Sequence, residues 1–277
     1  MKIPTNFIYP NIPETAYHFG SQQVAGNVLR ESGDWRDFLP PFELQRRNGI
    51  ESASCFIQAQ QHAIATLLEE QFDIKDSNFS ERFNFILADG TSSGGDPLVG
   101  AQTFRDYGLI PDEMLPFSED INSWGEFSSF GDDKEKCLVA GQQWKNTWSV
   151  HYDIVVRKEY DLEKKYTRLK EALRYSPVPV SVYAWEQNSA GEYIKPKGED
   201  DNHLVELVYI DENNCPYVFD TYEPALKKLS ANYDFDFALR YTLDKQPTIP
   251  VHNWFAELVK NIYTFVSDIL TKKYAHQ

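Results

Sequence analysis

The chain changes character near Thr147, and this change constrains the fold more than any other feature of the sequence. Before it, apolar residues recur at helical spacing from about Ser54, across "SERFNFILADG", which we expect to end at Gly90, and from roughly Pro97 to Tyr107. After it come an amphipathic helix, "DLEKKYTRLKEALRYSP", and Val- and Tyr-rich segments typical of strands, "TWSVHYDIVVRKEY", "VPVSVYAW", "HLVELVYI" and "PYVFDTY". A helical half followed by a β-rich half predicts an α+β fold.

Four segments follow from this division. They are an extended arm over residues 1–33, a helical lobe over 34–146, a β-rich lobe over 147–245 and a C-terminal amphipathic helix over 246–277. The acidic, Ser- and Gly-rich residues 118–136 predict a long surface loop. Charged residues interrupt the C-terminal helix, so it is not a membrane span; it either packs on its own protein or docks on a partner or membrane surface.

Composition excludes several classes of protein. The 277 residues are 42% hydrophobic and 14% aromatic, which predicts a substantial core and argues against disorder. A net charge of −15 repels phosphate backbones, so we expect no nucleic-acid partner. The three cysteines form no C-x-x-C pair, which argues against a disulfide framework or a zinc site, and we expect neither a metal nor another cofactor. With no signal-peptide core at the N-terminus, a reducing cytoplasm is most compatible, or export by a route that this chain does not encode.

Cys55 stands where a small, polar loop turns into a long apolar-periodic stretch, in "GIESASCFIQAQQHAIATLLEE". The N-terminal end of a helix carries roughly half a positive charge, which stabilises a thiolate. A thiol in the first turn therefore predicts a nucleophile, especially beside an imidazolium. Cys137, by the acidic loop, and Cys215, in a hairpin turn, have no such setting.

His203 is the histidine best placed to pair with this thiol. It begins the apolar strand "HLVELVYI" after the polar loop "KPKGEDDN", which puts its ring at a strand end. The returning strand "PYVFDTY" carries Asp220, and a hairpin of this size brings the carboxylate back beside the ring. His62 lies two turns along the same helix as Cys55, too far along the axis to reach its sulfur.

Six motifs in this order resemble the papain-like cysteine peptidase family, in a divergent form of bacterial or phage type. "DWRDFLPPFELQ" is similar to the opening Asp-Trp-Arg and Pro-x-x-x-Gln, and "SASCFIQA" to the Gly-Ser-Cys-Trp-Ala-Phe segment at the thiol. "SSGGDPLVGAQTFRDYGLIPDEMLPF" resembles the Gly-Gly loop with its following helix, and "PVPVSVYAW" the Gly-Pro-Val-Ser-Val strand. "DNHLVELVYI" and "FDTYEP" resemble the Asn-His-Ala-Val and Asn-Ser-Trp-Gly blocks. The resemblance implies two lobes, one helical and one β-barrel-like, with the active-site cleft between them.

The resemblance also implies roles for the catalytic residues. Cys55 would attack a scissile carbonyl, and His203 would take and return the proton. Asp220 would orient His203 in the place where the family has Asn, and Gln45 would donate to the oxyanion. Gln45 lies ten residues before Cys55 where the family has six, so four residues are inserted between them.

Further positions would line the cleft. The resemblance implies that Gly94 and Gly95 receive an extended peptide backbone, that Asn202 lies on a pocket wall, and that Tyr222 replaces the Trp that shields the His–Asn bond. No helical propeptide precedes these motifs, although the arm over 1–33 is long enough to cross the cleft as a short plug.

The leading hypothesis is therefore an endopeptidase that hydrolyses extended peptides or proteins through a Cys-His-Asp triad and an acyl-enzyme. Two alternatives stay open: a cell-wall peptide amidase with the same order of residues, and a catalytically weak papain-fold scaffold or binding module. The reactivity of Cys55 toward alkylating agents at mildly acidic pH separates an activated nucleophile from a structural thiol.

Overall fold

The helix that begins at Cys55 lies at the centre of the fold. A computed structural model describes residues 7–13, 16, 18–19 and 27–247. Its helices are α1 (Cys55–Phe72), α2 (Glu81–Leu87), α3 (Pro97–Tyr107), α4 (Trp124–Phe127), α5 (Lys134–Thr147) and α6 (Leu162–Leu173). Its strands are β1 (Arg46–Arg47), β2 (Ile50–Glu51), β3 (Trp148–Val156), β4 (Val178–Val182), β5 (Glu186–Gln187), β6 (Tyr193–Ile194), β7 (His203–Ile210), β8 (Pro216–Phe219), β9 (Leu226–Lys228) and β10 (Ala238–Lys245).

Six of these strands form one antiparallel sheet in the order β3-β10-β4-β7-β8-β9. The sheet belongs to the second half of the chain, whereas α1 to α5 all precede β3. The α+β class is therefore as the sequence predicts. The barrel-like closure expected of the β-rich lobe is not confirmed by these strand pairings, which run from β3 at one edge to β9 at the other.

Helix α1 is packed between the sheet and the other helices. It contacts β7, β10 and β4 on one side and α2 and α3 on the other. Every residue from Cys55 to Leu68 is buried, so the polar side chains of this stretch have to find internal partners. Gln61, for example, donates to the Ser80 carbonyl and to Asn84, both at 3.1 Å. A helix enclosed on both sides holds its N-terminal residue firmly in place.

Two local predictions need correction. Helix α2 ends at Leu87, earlier than the expected stop at Gly90, because Asp89 adopts a left-handed conformation at φ 52°. Gly90 is required instead by packing, since a Cβ there would lie 2.4 Å from the ring of Phe85.

The acidic segment 118–136 is likewise not a plain surface loop. It contains α4, and α5 begins within it. The buried Arg82 donates to backbone carbonyls on this segment, including those of Phe127 at 2.9 Å and Ser129 at 2.8 Å. The guanidinium of Arg82 therefore holds in place a part of the segment 118–136 that composition alone predicts to be a loop.

The predicted C-terminal helix over 246–277 lies outside the described residues except for Gln246 and Pro247. The described residues up to Lys245 belong to one compact unit. Among the helices of these residues, none is both long and apolar enough to cross a bilayer.

Candidate active site

Cys55 is the first residue of α1, and its side chain is hydrogen-bonded to that of His203. The preceding Ser54 makes no capping hydrogen bond with its side chain, whose hydroxyl instead lies 2.6 Å from that of Ser52. Ala53 has φ 54°, a conformation that non-glycine residues adopt at some energetic cost. Cys55 itself is fully buried. The thiol is thus held at a helix N-terminus by a locally strained turn.

His203 and Asp220 meet across the β7–β8 hairpin. His203 is the first residue of β7, and Asp220 directly follows β8. The imidazole Nε2 lies 2.7 Å from Asp220 Oδ1, which leaves Nδ1 for the hydrogen bond with Cys55. Both side chains are buried. The structure therefore brings together the three residues that the sequence analysis selected as a triad.

The charges around His203 favour its protonated form. Burial lowers the pKa of His203, but the carboxylate of Asp220 and the Cys55 side chain outweigh it and raise the pKa to about 10. For Asp220, burial raises the pKa, and the cations His203 and Lys227 more than reverse this effect, so the net pKa is lowered. The other histidine of α1, His62, has its pKa lowered by burial to about 4 and is therefore neutral.

Two residues that the sequence analysis missed complete the surroundings of Asp220. Lys227 Nζ donates to Asp220 Oδ2 at 2.7 Å, and Trp185 Nε1 donates to the same oxygen at 2.9 Å. Lys227 is only 1% exposed, whereas its neighbour on β9, Leu226, is 41% exposed. This reverses the hydrophobic alternation of a half-buried strand, so no sequence pattern pointed to a buried lysine here.

The glycine pair lies beside the nucleophile. Position 94 requires glycine because its φ is 89°, a conformation that residues with a side chain rarely adopt. Position 95 requires glycine because there is no room for a side chain: a Cβ would lie 2.4 Å from the ring of Phe56, the residue after Cys55. Phe7 of the arm forms a parallel bridge with Gly95, and its N–H donates to the carbonyl of Asn202 at 3.1 Å. One arm residue thus touches the glycine pair and the residue before His203.

Solved structures of several cysteine proteases share this arrangement of helices and sheet. Xylellain from Xylella fastidiosa has a TM-score of 0.60 at 17% identity, over 88% of this chain and 97% of that one. Bromelain from Ananas comosus has a TM-score of 0.52 at 17% identity, over 76% and 98% of the two chains. Procathepsin L 3 from Tenebrio molitor larval midgut has a TM-score of 0.55 at 14% identity, over 82% and 74%.

This chain has a papain-like fold. No protein-family model matches it, and no curated protein matches it. At such low identities the likeness concerns the course of the backbone, so the chemistry has to be argued from the side chains themselves.

Between Gln45 and Cys55, where the resemblance implies four extra residues, the chain of this papain-like fold forms a tight hairpin. Strands β1 and β2 pair Arg46 with Glu51, and the turn between them is Asn48-Gly49 with φ 52° and 76°. Asn-Gly is the preferred sequence for such a two-residue turn. The base is closed by a hydrogen bond from the Ser52 N–H to the Gln45 carbonyl at 3.1 Å. The hairpin therefore brings Gln45 close to the residues before the thiol.

The side chain of Gln45 is buried and engaged. Its Nε2 donates to Glu51 Oε1 at 2.6 Å and to the Tyr222 hydroxyl at 2.8 Å, and its Oε1 accepts from Thr221 at 3.0 Å. Tyr222 in turn places its ring 5.4 Å from that of His203. Gln45 is thus linked to His203 through Tyr222, with its amide protons directed at Glu51 and Tyr222 in this conformation.

The remaining cysteines are buried away from these groups. Burial raises the pKa of Cys137 and of Cys215, with Asp133 and Asp211 as further causes, so neither thiol is activated. In the part of the chain that the structure describes, no group of three or more His, Cys, Asp or Glu side chains could hold a metal ion.

Proposed function

We propose that this chain is a papain-like cysteine peptidase that cleaves peptide bonds in extended substrates through Cys55, His203 and Asp220. The observation that carries the proposal is the position of His203, hydrogen-bonded to Cys55 on one side and 2.7 Å from Asp220 on the other. A thiol at a helix N-terminus, a base in contact with it and a third group that orients the base are the parts that thiol nucleophilic catalysis requires.

The reaction follows from these positions. The proton of the Cys55 Sγ passes to His203, and the thiolate attacks the carbonyl carbon of the substrate. The tetrahedral intermediate collapses when His203 returns the proton to the leaving amine, which breaks the C–N bond and leaves a thioester on Cys55. Water, deprotonated by His203, then attacks the thioester and releases the acid and the free thiol. Asp220 holds the ring orientation throughout.

The surroundings of the thiol support an extended peptide as substrate. Gly94 and Gly95 offer backbone groups without obstructing side chains, and the arm residue Phe7 already forms a β-type bridge with Gly95. Asn202 lies opposite, where its carbonyl accepts a backbone N–H. Gln45 and the backbone N–H of Cys55 are the proposed donors to the oxyanion, which requires Gln45 to turn from Glu51 when substrate is bound.

Substitution of the reacting residues tests the proposal. We expect Cys55→Ala to abolish turnover of an unstructured protein substrate, and His203→Ala to lower kcat by about 10³-fold or more, because each removes a group that the covalent step requires. Covalent labelling by E64, the inhibitor present in the Ananas comosus bromelain structure, is expected in the wild type and absent in Cys55→Ala. Cys137→Ala serves as the control that keeps both activities. Labelling that persists in Cys55→Ala contradicts the assignment of the nucleophile.

One observation favours the scaffold alternative. Cys55 and His203 are 0% and 1% exposed, and the Gln45 amide is directed at Glu51 and Tyr222. A protein that only binds its partner does not require an accessible thiol or a free amide donor at this position. The two functions are separated by E64 labelling of the wild-type chain, which a scaffold with an inert thiol does not show.

A further inference from the structure

Lys227 has no counterpart among the residues that papain-like motifs implied, yet it contacts the triad directly. We propose that Lys227 is a charge-balancing and positioning residue, which neutralises Asp220 so that Cys55 and His203 can be buried as a thiolate–imidazolium pair. The inference rests on the proposed function and deepens it. It explains how an aspartate can stand where the family has a neutral asparagine.

Lys227 is surrounded by the acceptors that an ammonium group requires. Its Nζ donates to Asp220 Oδ2 at 2.7 Å and to the carbonyls of Tyr222 and Pro224, both at 2.6 Å. An ammonium has three N–H donors, and three acceptors are present. Burial lowers the pKa of Lys227, and the charge of Asp220 only partly offsets this effect, so that the net pKa is lowered. The amine is also 5.1 Å from the centre of the Trp185 ring, a position that favours a cation.

Counting the buried charges gives the reason for the lysine. A thiolate on Cys55, an imidazolium on His203, a carboxylate on Asp220 and an ammonium on Lys227 sum to zero. Without Lys227 the group carries one negative charge, and burial then favours return of a proton to the thiolate. Without Asp220 it carries one positive charge, and burial favours loss of the proton from the imidazolium. With neither, the neutral ion pair of an asparagine-containing site is restored.

The hydrogen bonds at Asp220 reinforce this argument. Oδ1 accepts from His203 and from the Thr221 N–H at 2.7 Å, while Oδ2 accepts from Lys227 and Trp185. An asparagine that keeps its oxygen toward His203 turns its NH₂ group toward two other donors. Asp220→Asn, which the resemblance alone predicts to be well tolerated, is therefore expected to be poorly active here.

The other titratable groups around the pair leave this balance unchanged. Burial lowers the pKa of His62 to about 4, and burial raises the pKa values of Tyr193 and Tyr222, so all three are neutral near pH 7. Glu51 lies beyond Tyr222, to which it is hydrogen-bonded. Among the described residues, the cations acting on Asp220 are His203 and Lys227.

A double-mutant cycle tests the proposal with Asp220→Asn, Lys227→Gln and the combination of both. The readouts are kcat/KM and the rate of Cys55 alkylation by iodoacetamide across pH, followed by mass spectrometry. We expect Lys227→Gln to lower alkylation near pH 5 by about tenfold, the effect of one pKa unit on a protonation equilibrium. Asp220→Asn should lower kcat/KM, and adding Lys227→Gln to it should restore at least about tenfold, since the new amide can accept from Asn.

The decisive comparison is between Asp220→Asn and the double variant, because a second substitution in a buried site restores activity only if it removes a conflict. This comparison can be made even if the single variant Lys227→Gln fails to fold. Lys165 provides the matched control: it is equally buried and pairs with Asp234 at 2.6 Å, but on α6. Lys165→Gln should lower the thermal midpoint and leave the pH profile of alkylation unchanged.

The outcomes separate this inference from the proposed function. If the wild type is alkylated rapidly near pH 5 but the double variant is no better than Asp220→Asn, charge balance by Lys227 is wrong and the peptidase assignment stands. An equal shift of the profile by Lys165→Gln also overturns it. If the wild type shows neither low-pH alkylation nor turnover, the proposed function fails and this inference with it.

Discussion

At the scale of single residues, burial and pairing together set the charge states of the site. His203 is fully buried, which alone would make it neutral, yet Asp220 and Cys55 hold it protonated. His62 is also buried, and there burial outweighs the charge of Asp220 and lowers the pKa to about 4. His203 differs in its direct contacts, a carboxylate oxygen at 2.7 Å and the Cys55 side chain. Although His62 is nearer to Cys55 in sequence, it is therefore His203 that is protonated and hydrogen-bonded to the thiol.

The raised pKa of His203 makes a contribution to stability that depends on pH. Because its pKa is about 10 in the folded protein and near 6.5 when unfolded, this contribution is complete below about pH 6.5 and is lost as the pH rises through about 10. Asp220, whose pKa is lowered, contributes above its unfolded value near 3.8 and loses this contribution as the pH falls below it. Together, His203 and Asp220 favour the folded state most between about pH 3.8 and about pH 6.5, the pKa values of the two groups in the unfolded chain.

Below the ordinary thiol pKa of about 8.5, the proton that Cys55 gives up in the proposed pair offsets the one that His203 holds. We therefore expect the unfolding free energy of the wild type to fall between pH 8.5 and pH 10 more steeply than that of His203→Asn, by at most about 1.4 kcal/mol per pH unit. Glu81 and Glu206, whose pKa values burial raises to about 8, add a decline of the same sign in both proteins, so the difference isolates His203. Urea unfolding at the two pH values measures it. Equal slopes in the two proteins contradict the protonated state of His203.

At the scale of elements, the start of α1 and the glycine pair are fitted to each other. The Phe56 ring, one residue past Cys55, packs where a side chain at position 95 would stand, and it also contacts Phe85 at 5.6 Å between ring centres. The residue beside the nucleophile thus supports the loop that is proposed to receive substrate. The turn of the β1–β2 hairpin is not packed in this way, since a Cβ at Gly49 would meet nothing within 4 Å.

Gly95→Ala should therefore lower the unfolding free energy by about 1–3 kcal/mol, as overpacking of a core does, because the buried Phe56 ring has to move. Gly125→Ala is the matched control: it lies in α4, and a Cβ there meets nothing within 4 Å. Chemical unfolding of both variants beside the wild type provides the measurement. Similar stability of Gly95→Ala and the wild type argues against the packing of Phe56 on the glycine pair.

At the scale of the whole chain, the described arm residue Phe7 contacts two parts of the chain that lie close to the proposed catalytic residues. This residue bridges Gly95 and bonds to Asn202, and its ring lies 6.3 Å from that of Phe237. Cys55 is closed to solvent in the same conformation. Phe7 therefore contacts both the glycine pair and the residue before His203, and the short plug expected of the arm over 1–33 stays a prediction.

Phe7→Asp should then speed E64 labelling of Cys55 by about tenfold, since losing the partial burial of one Phe side chain costs about 1–1.5 kcal/mol of docking. Ile8→Asp introduces the same charge at a side chain that is 48% exposed and should leave the rate near that of the wild type. The measurement is the rate of E64 labelling of the two variants and the wild type under pseudo-first-order conditions. If Phe7→Asp labels no faster than Ile8→Asp, the arm does not control access.

Much of the site was predictable because its signals are local. The polar loop before α1 placed Cys55 at a helix start, and the β7–β8 hairpin brought Asp220 back to His203, since a short hairpin leaves little choice of register. The motif order also identified the papain-like fold. Periodicity could not show the α4 segment, because its order depends on Arg82 reaching carbonyls more than thirty residues away.

The sequence by itself determined the α+β class, the helix that carries Cys55 and the pairing of His203 with Asp220, because hydrophobic periodicity and short hairpins are properties of neighbouring residues. Only the tertiary structure decided that Lys227 is buried while Leu226 is exposed, and that Trp185 reaches the same carboxylate. A buried charge is stable only beside a partner of opposite sign. Asp220 is near Lys227 in sequence, but the Trp185 ring that lies 5.1 Å from the Lys227 amine comes from a distant segment, just before β5. The local pattern of β9 therefore points the wrong way, and the position of Asp220 gives the physical reason.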